Sequence, residues 1–463
     1  MPKVLLFELN EVGWPVVEPM LQNGDLPNLR KLMERGAHGT TVCADKRLDP
    51  CIAWPTLHTG TSHEIHGIDF LGQHPDTFRA KQIWDFLIEA GRKVGVFGSL
   101  LSWPPRPSAA FHIPECFARD AATRPEAARI VQEFNIKYST ENKKAIVAKT
   151  SLREMLSFSY GLLRGGVKAE TLLSVGREVL QESLNPKLKW RRVCLQPLIN
   201  YDVFEKLYKK TSPHFSTFFT NHVAYYLHRY WRARFPDQFQ GAHDEEVSAH
   251  HDTIPHSLRV GDQLLGRVMS LIDDDTVLVV ASALGQGPVK NPARSGQQNV
   301  LRSLAHLIAV LGDAAQVRVS GSMTHEHVLV VPDPQVRAQL VRKLSEIREA
   351  GPGSAPIFKI VVRDDTACVS FTAEYADLSA GVVIPAIGQT LPPLALDIHR
   401  YDVQPTTGDH TPEGIFIMAG PSVRPGCVLG EFDLRDVAPT ILQLLDVERP
   451  AQMKGAPLQR VLH

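Results

Sequence analysis

The sequence predicts an α/β fold in which a parallel sheet is covered on both faces by helices, and two observations carry that prediction. Short apolar runs of the kind that fill buried parallel strands recur at residues 3–9, 94–97 and 276–281. Helical stretches separate several of these runs, so strand and helix alternate along the chain.

The elements follow in order. Lys3–Leu9 is the first apolar strand. Pro27 opens a helix that carries Leu29 and Leu32 and stops near Gly36. Thr40–Cys43 favours strand, Ile83–Ala90 reads as helix up to Gly91, and Val94–Phe97 as the next strand. From about 107 to 210 the strand runs vanish and amphipathic stretches such as Leu152–Leu163 and Ala169–Leu184 predict a helical insertion. Strands resume at Phe215–Phe219 and Thr276–Ala281. A second insertion, 300–395, should hold a strand (His327–Val331), a helix (Pro334–Arg348) and two strands (Phe358–Val362, Ala367–Phe371). The core is then 1–106, 211–299 and 396–463.

The 463 residues include 43% hydrophobic and 22% charged side chains, which is ordinary for a soluble globular protein. Fifty basic and fifty acidic residues cancel, so no global field recruits nucleic acid or an anionic membrane. The apolar run after Met1 is too short for a secretory leader and is broken by Glu8, and no stretch is long enough for a membrane span. Six cysteines (43, 51, 116, 194, 368 and 427) show no CxxC spacing, which predicts reduced thiols and a cytoplasmic protein.

The chain ends in a strand, Gly414–Ala419, a Gly420-Pro421 turn, and an Asp-capped helix running through Val437-Ala438-Pro439-Thr440-Ile441-Leu442. Near the start stand Asp25-Leu26-Pro27-Asn28-Leu29, Thr59-Gly60 and His66-Gly67-Ile68, and Asp262-Gln263-Leu264-Leu265-Gly266 precedes the strand at 276. In this order and spacing they resemble the alkaline phosphatase superfamily, in its type I phosphodiesterase/nucleotide pyrophosphatase branch. The resemblance covers about 1–100, 215–290 and 395–463. It implies an alkaline-phosphatase-like α/β/α sandwich with a mostly parallel sheet and two insertions, and a two-zinc transfer of phosphoryl or sulfuryl groups.

Carried over position by position, that chemistry is depleted. The carboxylate expected at the end of the first strand falls on Asn10. An Asp-His pair becomes Ala283-Leu284, and an Asp-x-x-x-His becomes Ala224…His228, while His410 is kept. The nucleophile falls on Pro50 or Cys51, and Cys51 at a helix start is chemically plausible, with Thr56 as a fallback. His228, His410 and Asn10 are therefore the candidate metal ligands, or the two histidines with one of Glu11, Asp49 or His222, for one divalent metal, zinc first, or for none. Cys51, His228 and His410 are the candidate catalytic residues, and Glu8, Asn10, Glu11, Asp49, Thr56 and Gln286 the candidate substrate-binding ones. Asp262 reads as a cap or loop anchor, and His325, Glu326 and His327 as exposed loop-to-strand residues.

The function this implies is a hydrolase or transferase acting on a small phosphate or sulfate ester with at most one well-formed metal site. The alternatives are a catalytically degenerate anion- or nucleotide-binding protein and a metal-independent transferase or lyase.

Overall fold

The computed structural model describes residues 2–462 apart from 145–151, 240–243, 290–295, 314–316, 321–325, 352, 364 and 404–405. Six strands form first: β1 (Lys3–Leu9), β2 (Ala37–Val42), β3 (Val94–Phe97), β4 (Phe111–Ile113), β5 (Phe215–Thr220) and β6 (Thr276–Ala281). After β7 (Gly285–Pro288) come β8 (Gly296–Leu301), β9 (Arg318–Ser320), β10 (Glu326–Val330), β11 (Arg348–Glu349), β12 (Phe358–Arg363), β13 (Thr366–Phe371), β14 (Val382–Ile384), β15 (Gln389–Leu391) and β16 (Ile398–Val403). The last three are β17 (Gly408–Thr411), β18 (Glu413–Ala419) and β19 (Cys427–Asp433).

Eight of these strands make one sheet in the order β19-β2-β18-β6-β1-β5-β3-β4. β1 pairs in parallel with both β5 and β6, while β18 runs against both of its neighbours. Alternation along β1 feeds two cores. Leu5, Phe7 and Leu9 join one core with helices Leu195–Thr211, His222–Arg234 and Thr253–Leu271; Val4 and Leu6 join the other with Pro50–Thr59, Ile83–Glu89 and Val437–Leu444. At roughly 1.5–3 kcal/mol for each large apolar side chain buried, both faces of β1 fix its register.

The predicted sandwich is therefore present, and several strands begin and end where the pattern placed them. β2 starts at Ala37 instead of Thr40, because pairing with β18 and β19 recruits Ala37-His38-Gly39. The helix from Pro334 stops at Ser345, and Arg348 already belongs to β11.

Helices Arg129–Lys144, Leu152–Gly165 and Ala169–Leu184 occupy the first insertion. The second enters and leaves through β8 and β16, paired antiparallel. Its sheet β12-β13-β10-β9 turns Leu329 and Val369 into a core of its own and presses Val328 and Cys368 onto Phe70 of the main body. None of the six cysteines forms a disulfide. Asp262 is an anchor as expected: from the helix Thr253–Leu271 its carboxylate accepts from the amides of Asn28 and Leu29 and so caps the helix Pro27–Arg35. Among the histidine-rich run before β10, His325 lies outside the described residues.

Candidate functional site

Three short pieces of backbone meet beyond the end of β1. Asn10 continues the strand, its amide donating to Thr220 O at 3.1 Å. Glu11 then turns into the left-handed region, with φ 60°. That conformation costs a residue with a β-carbon about 1–2 kcal/mol and redirects the Glu11 side chain off the strand line. His228 comes from the helix His222–Arg234, and His410 from β17, where it sits opposite Gln286 of β7.

The side chains converge on one oxygen. His228 Nε2 lies 2.8 Å from Glu11 Oε2, and His410 Nε2 lies 3.3 Å from the same atom without hydrogen-bond geometry. The two imidazole rings stand 5.0 Å apart, nearly perpendicular. Each ring is tied at its other nitrogen to a backbone carbonyl: His228 Nδ1 to Gly408 O at 3.1 Å, and His410 Nδ1 to Leu48 O at 3.0 Å.

A carbonyl oxygen can only accept, so both Nδ1 atoms carry hydrogen, and the neutral rings present Nε2 lone pairs to a carboxylate. Lone pair against lone pair is repulsive. The arrangement is satisfied only by protons on Nε2 or by a cation between the three groups.

The protonation energetics agree. Burial opposes charge on Glu11, yet the two imidazoles outweigh it and hold this carboxyl well below the usual range. Burial likewise opposes a charged His410, but Glu11, with Asp49 and Asp409 behind it, lifts that imidazole to about 9.

Glu11 itself is held from both sides. Its Oε1 accepts from Asn10 Nδ2 at 2.8 Å, and its Oε2 from Gln286 Nε2.

Of the residues the sequence nominated, this places His228, His410, Glu11 and Gln286 together, with Asp49 one residue from the Leu48 carbonyl. Glu11, not Asn10, faces the two histidines, and the Asn10 amide is engaged elsewhere. Asn10 Oδ1 accepts from Trp54 Nε1 at 2.7 Å, and its Nδ2 donates to Glu11 and to Asn221. Glu8 shares a face with Asn10 but lies deeper, fully buried, where it pairs with His58 Nε2 at 2.7 Å and accepts from Ser99 Oγ.

Thr56 donates to Asp45 and meets His66 Nε2 at 3.1 Å, in a buried chain separate from the cluster. The Cys51 thiol is buried in the sheet's second core and directed at Asp69 O, 3.4 Å away. His222 is directed at Ser257 O through Nε2, and burial pushes it down to about 4, so it stays neutral and apart. The carbonyls of Leu48 and Gly408 had no signal in the sequence, since any residue offers one.

A family model described as type I phosphodiesterase / nucleotide pyrophosphatase matches residues 4–417. The chain belongs to this family. Among solved structures, murine ectonucleotide pyrophosphatase / phosphodiesterase 5 covers 100% of this chain and of its own at 13% identity and a TM-score of 0.45. An inactive form of that murine protein in complex with AMP gives the same figures. No curated protein sequence matches.

For a member of the phosphodiesterase family, the donor set fits one cation. Glu11, His228 and His410 offer ligand atoms all within 4.8 Å of one another, and no other such group of His, Cys, Asp and Glu stands among the described residues. Tetrahedral zinc or a similar ion needs ligand atoms about 3.4 Å apart, given bonds of ~2.0–2.1 Å; the two edges to Glu11 Oε2 measure 2.8 Å from His228 and 3.3 Å from His410. Where the resemblance places an Asp-His pair for a second cation, Ala283 and Leu284 have no donor side chain and are packed in the core.

Proposed function

We propose that this phosphodiesterase-family chain is a hydrolase of small phosphoric esters, phosphodiesters first, that works with one divalent cation held by Glu11, His228 and His410. The observation that carries this reading is the pair of Nδ1–H groups bound to backbone carbonyls. They fix both rings in the tautomer that turns Nε2 toward Glu11 Oε2. When bound, a divalent cation supplies Lewis acidity to a phosphoryl oxygen.

The chain does the rest. Asn10 and Gln286 fix the carboxylate, and the turn that precedes helix Pro50–Thr59 lies against His410 through Leu48 O. At the start of that helix Pro50 has no nucleophilic group and the Cys51 thiol is buried against Asp69 O. Water is then the attacking group, and a single displacement inverts configuration at phosphorus.

The test is metal content by elemental mass spectrometry on protein purified without chelator, beside Glu11→Gln and His410→Gln. About one ion per chain, lost in both variants, with hydrolysis of a bis-aryl phosphate diester that chelator abolishes, is the expected result. Metal-free wild type sinks the reading.

The absence of a nucleophile at the helix start also favours a second reading, a binding protein that keeps the cation and has lost turnover. It predicts the same metal content with no hydrolysis of diester, monoester or sulfate ester.

A further inference from the structure

Residues 43–49 belong to no helix or strand, yet they supply the Leu48 carbonyl that fixes His410. The first part of this stretch is held through Cys43 N on Pro412 O and through Asp45, which accepts from Thr56 and from the His63 amide, while the contacts around 47–51 lead to Asp69. The carbonyl of Asp69 accepts from Arg47 Nη1 at 3.0 Å and from the Cys51 thiol at 3.4 Å. Arg47 Nη2 in turn pairs with Asp49 Oδ2 at 2.8 Å, and Asp49 Oδ1 caps the following helix through Cys51 N at 3.0 Å.

Asp69 is itself clamped by its carboxylate. Oδ1 meets His63 Nε2 at 3.0 Å, and Oδ2 accepts from Nε of Arg363 at 2.5 Å. Arg363 is the last residue of β12, in the second insertion. The same docking face is completed by Phe70 against Val328 and Cys368, and by Arg119, which donates to Gly72 O at 2.8 Å and Thr366 Oγ1 at 3.4 Å. A continuous line of contacts therefore runs from the insertion through Arg363, Asp69 and Arg47 to the turn that orients a cation ligand.

We propose that Arg363 is a positioning residue for the cation site: by clamping Asp69 it holds the 47–49 turn, and so keeps Leu48 O where it fixes the His410 tautomer. The inference rests on the one-cation reading above. Released from that clamp, the turn has no backbone ladder to keep Leu48 O in line, and His410 is freer to rotate away from Glu11.

The coupling is reciprocal, so a bound cation tightens the docking of the insertion as the insertion tightens the cation. Cys368, 3% exposed on the docking face, reports that second direction.

The experiment titrates Co²⁺ into metal-free wild type, Arg363→Ala and Arg363→Lys, following visible absorption, with Cys368 alkylation timed by mass spectrometry before and after loading. Arg363→Ala should bind Co²⁺ about threefold to tenfold more weakly, less than loss of a direct outer-shell partner because Arg363 acts through Asp69 and Arg47. Its absorption band should change while far-UV circular dichroism does not. Arg363→Lys should restore most of both, and Co²⁺ should slow alkylation of Cys368 in wild type.

Equal affinity and an identical band in wild type and Arg363→Ala overturn the inference while leaving the cation reading intact. A wild type that binds no Co²⁺ overturns the cation reading, and this inference with it. Asp69→Asn, which keeps the side-chain shape, gives the same comparison should Arg363→Ala fail to fold.

Discussion

At the scale of single residues, Glu11 pays for its position in backbone strain. A β-carbon at φ 60° costs about 1 kcal/mol or more, a cost glycine escapes. In metal-free protein, Glu11→Gly should therefore be more stable than Glu11→Ala by about 1 kcal/mol, read from urea midpoints, although both lose the carboxylate. Equal midpoints would mean that the turn relaxes in the variants and stores no strain.

Glu115 makes a separate, pH-dependent claim. Burial raises its carboxyl to about 7 even though it accepts from the Ser102 amide and hydroxyl and the Trp103 amide. The folded chain thus holds a proton that the unfolded chain has released. Stability falls as pH rises from about 4.5 to about 7 and is then level, by on the order of 3 kcal/mol in all. Glu115→Gln should flatten that slope in melts taken across pH 4.5 to 8, and an unchanged slope would refute the assignment.

At the scale of elements, the site depends on strands the sequence hid. β1, β3 and β6 declare themselves as apolar runs with sharp ends. β7 and β17 do not: Gly285-Gln286-Gly287-Pro288 and Gly408-Asp409-His410-Thr411 have neither apolar alternation nor β-branched content beyond Thr411. Their pairing is set by close approach.

A β-carbon on Gly408 would come within 2.3 Å of Leu227 O, so only glycine lets β17 lie against the helix that carries His228. This is also why His228 and His410 could be nominated from motif order, while Glu11 could not be told from Asn10. Adjacent residues differ here by a backbone turn, which sequence pattern does not encode. Gly408→Ala should push β17 off the helix and weaken Co²⁺ binding by about tenfold or more, comparable to losing an outer-shell partner. Wild-type affinity in that variant would show the approach to be dispensable.

At the scale of the whole molecule, a cation held as proposed would link the two halves of the chain, since Glu11 precedes β2 and His410 follows the second insertion. A ligand that binds only the folded state at a hundred times its Kd adds about 2.7 kcal/mol. Chelator should lower the Tm of loaded protein by about 3 °C, with no effect on Glu11→Gln, as scanning calorimetry would show. A chelator-insensitive wild type would speak against a bound ion.

The order of the central sheet has one more consequence, for the protein as it is made. β2 is synthesised long before β18 and β19, which are its sheet partners among the described strands. Until Glu413–Ala419 emerges, β2 has both backbone edges unmatched, and β6 lacks its second neighbour. Sheet closure is therefore a late, long-range event. Between those two points the nascent chain carries open strand edges, the condition under which slow folding, off-pathway pairing and reliance on chaperones are greatest.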